Sequence, residues 1–270
     1  MTSTMYHGCA IIDHTTRSLA PEMAMLVTDG RVGWLGPAEE APDPGPGVEF
    51  VDAGGTTAVA GMVDAHSHLT LPGGSHWIDR AADPTPRLLA IAEDNARLLR
   101  QAGVRWARDV GAPVRDGRAL SLTVRDRWQG RPGYPYIRAA GGWLARTGSL
   151  PAGLPVEVND GDGLLAAALG QLEDGADLVK LYMDGPDRDT SPFTAGEVRR
   201  VVEAVHARGA TVTAPSSLLP GARAAVAGGV DAIEHGFRLD ADVARAMAAQ
   251  GTALVATLAV MKSWETFAAT

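Results

Sequence analysis

Two histidines at the end of a predicted strand are the first residues in the chain suited to metal chemistry. Residues 61–69, GMVDAHSHL, read as a buried strand that ends in His66 and His68. Side chains two positions apart lie on the same face of a strand, so the two imidazoles project side by side. Imidazole nitrogen is a common ligand for zinc and other transition metals. The pair predicts half of a metal site, although a strand end that merely carries two polar residues has the same pattern.

Other groups with useful chemistry lie on predicted strands or at their ends. Asp109 lies near the end of 104–110, Lys180 and Tyr182 lie within 177–182, and Glu234 with His235 ends the strand 230–234. Only two of the 24 basic residues are lysines, which indicates that Lys180 is present for its amine, because arginine stays protonated and cannot be carboxylated. A buried ammonium is costly unless it is paired. We therefore expect Lys180 either to carry a carbamate formed with carbon dioxide or to pair with Asp109 or Glu234.

The elements that would position these groups alternate between strand and helix from residue 58 onward. The predicted strands are 57–65, 104–110, 136–140, 177–182, 211–214, 230–234 and 253–258. Repeated strand–helix units with apolar strands predict an α/β fold with a parallel sheet. Seven such units favour a (β/α) TIM-type barrel with seven of its eight units evident, and functional groups in such barrels lie at the carboxyl ends of the strands. The chain has no glycine-rich nucleotide-binding motif of the G-x-G-x-x-G or Walker type.

Two domains are predicted. Residues 1–57 carry short β-like segments and the hairpin signal Asp29-Gly30, which indicates a small antiparallel β-sandwich-like unit. Residues 58–270 would form the barrel, which we expect to be incomplete at its carboxyl terminus. Within it, Thr85 is the predicted cap of the first helix, Thr194 and Glu197 form a capping box, and 141–159 is a long loop.

Composition excludes several classes of protein. The formal net charge of −8 argues against a nucleic-acid-binding surface. The single cysteine, Cys9, fits a reducing compartment. No apolar run is long enough to span a bilayer, and the first residues lack a signal-peptide pattern. We therefore expect a cytoplasmic protein that acts on a small molecule, without nucleic-acid or membrane partners.

The motifs together resemble the amidohydrolase superfamily, in particular its imidazolonepropionase-like and prolidase-like branch. The matching stretches include AVAGMVDAHSHL, GVRWARDVG, GADLVKLYMDG and GGVDAIEHGF, and they follow the family order along nearly the whole chain. The resemblance implies one or two divalent metals, usually zinc. It assigns His66, His68, Lys180 as a carbamate, and His235 as ligands, with Lys180 and His235 also catalytic.

Two positions depart from the pattern of that family. Pro215 stands where the resemblance places a ligand histidine of the fifth strand, and the aspartate that ends the eighth strand is absent. His66, His68 and Lys180 would still give three ligands to one zinc, a normal number for a catalytic site. The second metal position would keep only Lys180 and His235 and is therefore doubtful. Loss of the aspartate, which also acts as the base, would cost ~10²–10⁴-fold in rate.

Further residues are predicted to support the site. Three carboxylates would orient the ligands: Asp64, Asp109 and Glu234. Four residues could line a substrate pocket: His76, Trp143, Arg146 and Tyr182. Asp109 could instead pair with Arg108, and His76 could be an ordinary loop histidine.

Three functions are compatible with these residues. The first is a metal-dependent hydrolase acting on a C–N bond of an amide, dipeptide or cyclic amide through metal-activated water. The second is an inactive amidohydrolase-like protein that serves as an interaction or regulatory subunit, and the third is a barrel enzyme with non-hydrolytic chemistry. Because the outer edges of the predicted sheet are unpaired, we also expect a homo-oligomer or a partner chain that closes the barrel.

Overall fold

The computed structural model describes residues 2–13 and 15–266. The chain divides into two compact units, Met1–Gly61 and Met62–Thr270. None of the described helices combines the length and the apolar character needed to cross a membrane.

The smaller unit is a five-stranded sheet. Its elements are β1 (Ser3–Asp13), β2 (Ser18–Thr28), β3 (Arg31–Pro37), a 3-10 helix (Ala38–Glu40), β4 (Glu49–Asp52) and β5 (Thr57–Ala58). The strand order is β3-β2-β1-β4, and β5 also pairs with β1. Asp29 and Gly30 connect β2 to β3 with φ angles of 48° and 76°, as a primed hairpin turn requires. The expected antiparallel pairing is present in β1, β2 and β3, whereas β4 and β5 run parallel to β1.

The larger unit contains the remaining strands and all the α-helices. The strands are β6 (Met62–Ser67), β7 (Val104–Asp109), β8 (Val114–Arg115), β9 (Arg118–Ala119), β10 (Tyr136–Ala139), β11 (Leu144–Arg146), β12 (Val156–Val158), β13 (Leu178–Lys180), β14 (Thr211–Ser216), β15 (Ala232–His235) and β16 (Ala253–Val255). The helices are α1 (Trp77–Arg80), α2 (Thr85–Gln101), α3 (Leu120–Trp128), α4 (Gly161–Glu173), α5 (Ala195–His206), α6 (Leu219–Gly228), α7 (Ala241–Gln250) and α8 (Leu258–Trp264).

Parallel strands form the frame of this unit. One sheet has the order β10-β7-β6 and another has the order β13-β14-β15-β16, and all these neighbours are parallel. A single bridge between Ala140 and Leu178 joins the two sheets next to β10 and β13. Helices follow most of the strands, so the expected mixed α/β fold with parallel strands is confirmed. The carboxyl ends of the strands therefore lie on one side, where the candidate residues were predicted to meet.

Helix α5 illustrates how the sequence specifies this frame. Thr194 accepts a hydrogen bond from the backbone N–H of Glu197, whose carboxylate accepts one from the N–H of Thr194, so the predicted capping box is present. The helix buries its four valines, which recur at helical spacing: Val198, Val201, Val202 and Val205. These valines belong to a large apolar cluster that also contains residues of β13, β14, β15, α4 and α6. Burial of this stripe fixes the helix against the sheet that carries the candidate residues.

Three local predictions were wrong. The first predicted strand, 57–65, is two separate strands, because Thr57–Ala58 pairs with β1 of the smaller unit. Helix α2 is preceded by Pro84 as the N-cap, and no side chain caps it, so Thr85 is not the cap. The predicted loop at 141–159 contains the parallel pair β11–β12, because extended segments on either side of its turns hydrogen-bond to each other.

Candidate active site

Four of the predicted site residues converge on one cavity. His66, His68, Lys180 and His235 all line a cavity of about 560 Å³ at the carboxyl ends of the parallel strands. The ring centroids of His66 and His68 are 5.1 Å apart, and those of His66 and His235 are 4.8 Å apart. The Lys180 Nζ lies 3.5 Å from Nε2 of His68. Residues separated by up to 169 positions in the chain are therefore brought together by the parallel topology.

Hydrogen bonds fix the orientation of the two strand-end histidines. Nδ1 of His66 donates to the Glu234 carboxylate over 2.7 Å, and Nδ1 of His68 donates to the Gly111 carbonyl over 2.7 Å. Because carboxylates and carbonyls only accept, both rings carry their proton on Nδ1 when neutral. Burial, together with the nearby Lys180 amine, lowers the pKa of both rings well below the ordinary value. Both histidines are thus neutral at physiological pH, with the Nε2 lone pair left for a ligand.

Glu234 is the buried carboxylate that anchors this arrangement. It is fully buried and accepts hydrogen bonds from His66, Arg108 and Thr213. Arg108 also donates to the Ala65 carbonyl over 2.9 Å, which ties β7 to β6 next to the histidine pair. A buried carboxylate needs such partners, since an unpaired buried charge is costly. Arg108 thus pairs with Glu234, and the alternative that it pairs with Asp109 was wrong.

Lys180 is only 2% exposed. Burial lowers the pKa of its ammonium to about 7, although the negative charges of Glu234 and Asp109 oppose the shift. Its hydrogen-bond contact among the described residues is with the His68 ring, so a direct hydrogen bond to Asp109 or Glu234 is not formed. A substantial fraction of the amine is therefore neutral near pH 7, and only a neutral amine can add to carbon dioxide.

His235 differs from the other two histidines in backbone conformation. Its φ of 69° lies in the left-handed region, which is uncommon for residues other than glycine, although histidine adopts it more often than most. Its Nδ1 lies 2.8 Å from the Thr257 hydroxyl, which holds the ring at the end of β15. Burial and the neighbouring Lys180 lower the pKa of His235 to about 4. Strained conformations of this kind concentrate at functional sites, where the surrounding structure holds them.

Two further carboxylates hold the strand ends. Asp64 accepts hydrogen bonds from the His66 N–H over 3.1 Å and from the Ser67 hydroxyl over 2.6 Å. Asp109 is fully buried and accepts from the N–H groups of Leu69 and Gly111 over 3.1 and 3.0 Å. Burial raises the pKa of Asp109 to about 7, even though these backbone bonds favour the charged form. Both aspartates thus fix the backbone on either side of the histidine pair.

The donor groups fit a divalent metal only if Lys180 contributes. Within 2–13 and 15–266, no three His, Cys, Asp or Glu side chains converge as a ready-made metal site. His66 and His68, however, each anchor Nδ1 on an oxygen acceptor and present Nε2 to the cavity, which is the arrangement usual for metal-ligating histidines. The Lys180 amine beside them becomes a negatively charged oxygen donor when it is carboxylated. His66, His68 and a Lys180 carbamate would then form the donor set.

The cavity walls include some of the predicted pocket residues. Trp143, Tyr182, Pro215 and Ser217 line the cavity. His76 does not, because it precedes α1 with its side chain 76% exposed and 3.6 Å from Asp79. Arg146 does not either, because its guanidinium lies over the Phe193 ring, 5.9 Å from the centroid. His76 thus fits the alternative of an ordinary loop histidine, and neither it nor Arg146 is among the residues that line the cavity.

Three functional groups could not be recognised in advance. The role of Arg108 depends on Glu234, which lies 126 positions away. Thr257 supports His235, and Asp184 lines the cavity four residues after Lys180. Asp184 follows the predicted strand 177–182, and Thr257 lies near the end of the predicted strand 253–258. This placement at strand ends is the one sequence signal that points to them.

Comparison with known proteins places this geometry in context. No protein-family model matches the chain. An uncharacterized protein of Mycobacterium tuberculosis is 34% identical over 241 residues, which cover 87% of this chain and 57% of that protein. The chain therefore spans little more than half the length of this relative. An imidazolonepropionase of Saccharopolyspora erythraea is 36% identical over 90 residues, covering 33% of this chain and 21% of the enzyme.

Solved structures agree in fold. The crystal structure of a Xaa-Pro dipeptidase with bound methionine in the active site superposes with a TM-score of 0.80 at 23% sequence identity. The match covers 96% of this chain and 67% of the dipeptidase. The shared fold, together with the sequence match to an imidazolonepropionase, confirms the resemblance to the amidohydrolase superfamily.

Proposed function

Since the chain resembles the amidohydrolase superfamily, we propose that it is a metal-dependent hydrolase of carbon–nitrogen bonds in amides, dipeptides or cyclic amides. The observation that carries this proposal is the convergence of His66, His68 and Lys180 on one cavity. Both histidines are held as neutral donors, and Lys180 is buried beside them. We propose one zinc as the metal and a carbamate on Lys180, with a second metal bound weakly or not at all.

The residues of this chain would divide the work of hydrolysis. His66, His68 and the carboxylated Lys180 would hold the metal, which supplies Lewis acidity and lowers the pKa of water toward ~7. Glu234, Arg108 and Gly111 keep the ligands in place through their hydrogen bonds. Such outer partners keep each ligand in one tautomer and one orientation, which reduces the reorganisation needed during reaction.

His235 is the proposed proton acceptor. It lines the cavity, and burial lowers its pKa, so the ring is neutral and can accept a proton at pH 7. Glu234 cannot take this role, since it is fully buried and already bound to His66, Arg108 and Thr213. Because burial makes the charged ring less stable, His235 is a weaker base than an exposed histidine, so we expect modest turnover.

Hydrolysis of a panel of dipeptides, N-acyl amino acid amides and cyclic amides tests this proposal. The protein is incubated with zinc and bicarbonate, and amine release is measured. We expect turnover that His68→Asn and Lys180→Met each reduce by at least ~100-fold, consistent with loss of a ligand. His206→Asn is the matched control, because His206 is a 44% exposed surface histidine paired with Asp231. Failure of the wild-type protein to release amine from any substrate, with zinc bound, would refute the proposal.

Pro215 favours a second candidate, an inactive protein that uses the cavity for binding only. It lines the cavity at the position where the resemblance places a ligand histidine, and proline offers no metal donor. An inactive protein of this kind would act as an interaction or regulatory subunit of a partner chain. We include homo-oligomer formation in this second proposal. Pro215→His separates the two candidates. If the natural protein is inactive through this substitution, the variant should gain both a second metal equivalent and turnover.

A further inference from the structure

The cavity has a wall built largely from apolar and aromatic side chains. Leu71, Trp77, Trp143, Leu150 and Leu154 line it and also pack together as one hydrophobic cluster. The Trp143 ring lies 5.2 Å from the His68 ring, so this wall reaches the candidate metal ligands. A rigid aromatic surface of this kind favours an aromatic or aliphatic ligand, because it buries apolar area at low cost in side-chain entropy. The volume of about 560 Å³ is typical of small-molecule sites.

The charged groups of the cavity are distributed unevenly. Asp184 is its one acidic lining residue among those described, and no described arginine lines it. Lys180 is the one basic lining residue among them, but it is only 2% exposed and contacts the His68 ring. Two arginines near the site make contacts outside the cavity. Arg108 pairs with Glu234, and Arg146 lies over Phe193. A free carboxylate on a ligand would therefore meet Asp184 without an arginine to neutralise it, and planar recognition of carboxylates usually depends on arginine.

Asp184 is held firmly in this position. Its carboxylate accepts hydrogen bonds from the N–H groups of Ser217 and Leu218 over 2.7 and 3.1 Å, and more weakly from the Ser216 hydroxyl over 3.4 Å. The preceding residue, Met183, is fixed by α6, because a Cβ added at Gly221 would lie 1.9 Å from the Met183 carbonyl oxygen. An ionised carboxylate offers about four acceptor positions, so the three bonds leave capacity for a donor in the cavity.

We propose that Asp184 is a specificity-determining residue that selects neutral or cationic apolar amides and excludes ligands with a free carboxylate. Among the substrate classes proposed above, this narrows the dipeptides to those whose terminal carboxyl group is blocked. The apolar wall binds the side chain of the ligand, and the Asp184 carboxylate accepts a hydrogen bond from a ligand N–H or ammonium group. Like charges placed together in a partly desolvated site cost binding energy, so an anionic ligand is rejected. The assignment of this ligand as a substrate rests on the proposed hydrolase function, whereas the binding preference does not.

A binding experiment with three related probes tests this inference separately from turnover. N-acetyl-L-phenylalaninamide is neutral, L-phenylalaninamide carries an ammonium group, and N-acetyl-L-phenylalanine carries a carboxylate. Dissociation constants are measured by ligand-observed NMR with EDTA present, so that no metal attracts the carboxylate. We expect the two amides to bind at least ~5-fold more tightly than the acid, which corresponds to about 1 kcal/mol.

Variants then assign the preference to one residue. In Asp184→Asn, the dissociation constant of the acid should exceed that of the neutral amide by less than ~2-fold. Asp187→Asn is the matched control, since Asp187 lies on the exposed loop nearby and accepts hydrogen bonds within that loop, from the Asp189 N–H and the Thr190 hydroxyl. A residue with a purely structural role would lower the melting temperature of the protein and affect all three probes equally.

Two results would overturn the inference. In the wild-type protein, the acid could bind as tightly as the neutral amide. Alternatively, Asp184→Asn could fold and leave the ratio unchanged. If the asparagine variant does not fold, Asp184→Ser replaces it, because a serine hydroxyl can still accept from the Ser217 N–H. Absence of turnover would refute the hydrolase proposal, whereas an unchanged ratio of dissociation constants would refute this inference. The two failures are therefore distinguishable.

Discussion

Replacing Glu234 by glutamine should destabilise the protein and disturb the site, because Glu234 holds His66 in place. Glu234 is fully buried and accepts hydrogen bonds from His66, Arg108 and Thr213. Glutamine has nearly the same shape but only one acceptor oxygen, and its amide group would face a donor. The Arg108 guanidinium, which is 23% exposed on its side chain, would lose its ionic partner. The substitution therefore tests both the stability of the unit and the orientation of His66.

The magnitude follows from the burial of the pair. Breaking a buried ion pair by removal of one partner typically costs ~3–5 kcal/mol. Because Arg108 retains some access to water, we take the lower limit of about 3 kcal/mol. At about 2–4 °C per kcal/mol for a unit of this size, the melting temperature should fall by roughly 6–12 °C. Loss of the His66 partner should also weaken zinc binding by ~10–100-fold.

Calorimetry and zinc titration measure the two effects. Asp162→Asn is the matched control, because Asp162 is 83% exposed on its side chain and pairs with Arg200 at the surface. We expect the control to change stability by less than ~1 kcal/mol and to leave zinc affinity unaltered. If Glu234→Gln melts within ~2 °C of the wild-type protein, less than ~1 kcal/mol is involved and the reasoning about a buried anchor is refuted.

Two further predictions concern packing and pH. Gly221→Ala should destabilise the protein by more than ~2 kcal/mol, because the new Cβ would lie 1.9 Å from the Met183 carbonyl oxygen. In Gly170→Ala, the new Cβ in α4 would have no atom within 4 Å, so thermal unfolding should show unchanged or increased stability. An equal loss of stability in the two variants would contradict the packing argument. For His235, whose pKa in the folded protein is lowered to about 4, the unfolded chain takes up a proton at higher pH than the folded one. Stability of the metal-free protein should therefore fall as pH drops below ~6.5, by roughly 2 kcal/mol at pH 5. An equal loss in metal-free His235→Asn would exclude this group as a cause.

The sequence predicted the positions of the ligand candidates because those positions depend on local chemistry. Strand patterns placed His66, His68, Lys180 and His235 at strand ends, and parallel topology brings such ends together. The capping box at Thr194 was equally predictable, since its two members are three residues apart. Features that depend on short-range spacing and on the alternation of strand and helix can thus be deduced from a single sequence.

Contacts between distant residues could not be predicted in this way. Glu234 was expected to support the site, but its partners Arg108 and His66 lie 126 and 168 positions away. Trp143 and Arg146 follow the same predicted strand, yet one lines the cavity and the other turns toward Phe193. The direction of a side chain in a loop depends on packing partners from elsewhere in the chain, and a single sequence contains no direct signal for them.

The metal content of the purified protein tests the central claim most directly. The protein is loaded with zinc and bicarbonate, dialysed, and analysed by mass spectrometry for metal per chain. The proposal predicts about one equivalent of zinc for the wild-type protein and for His206→Asn, and less than about a tenth for His66→Asn combined with His68→Asn. A wild-type protein that retains less than about a tenth of an equivalent of zinc, manganese or iron would contradict the account.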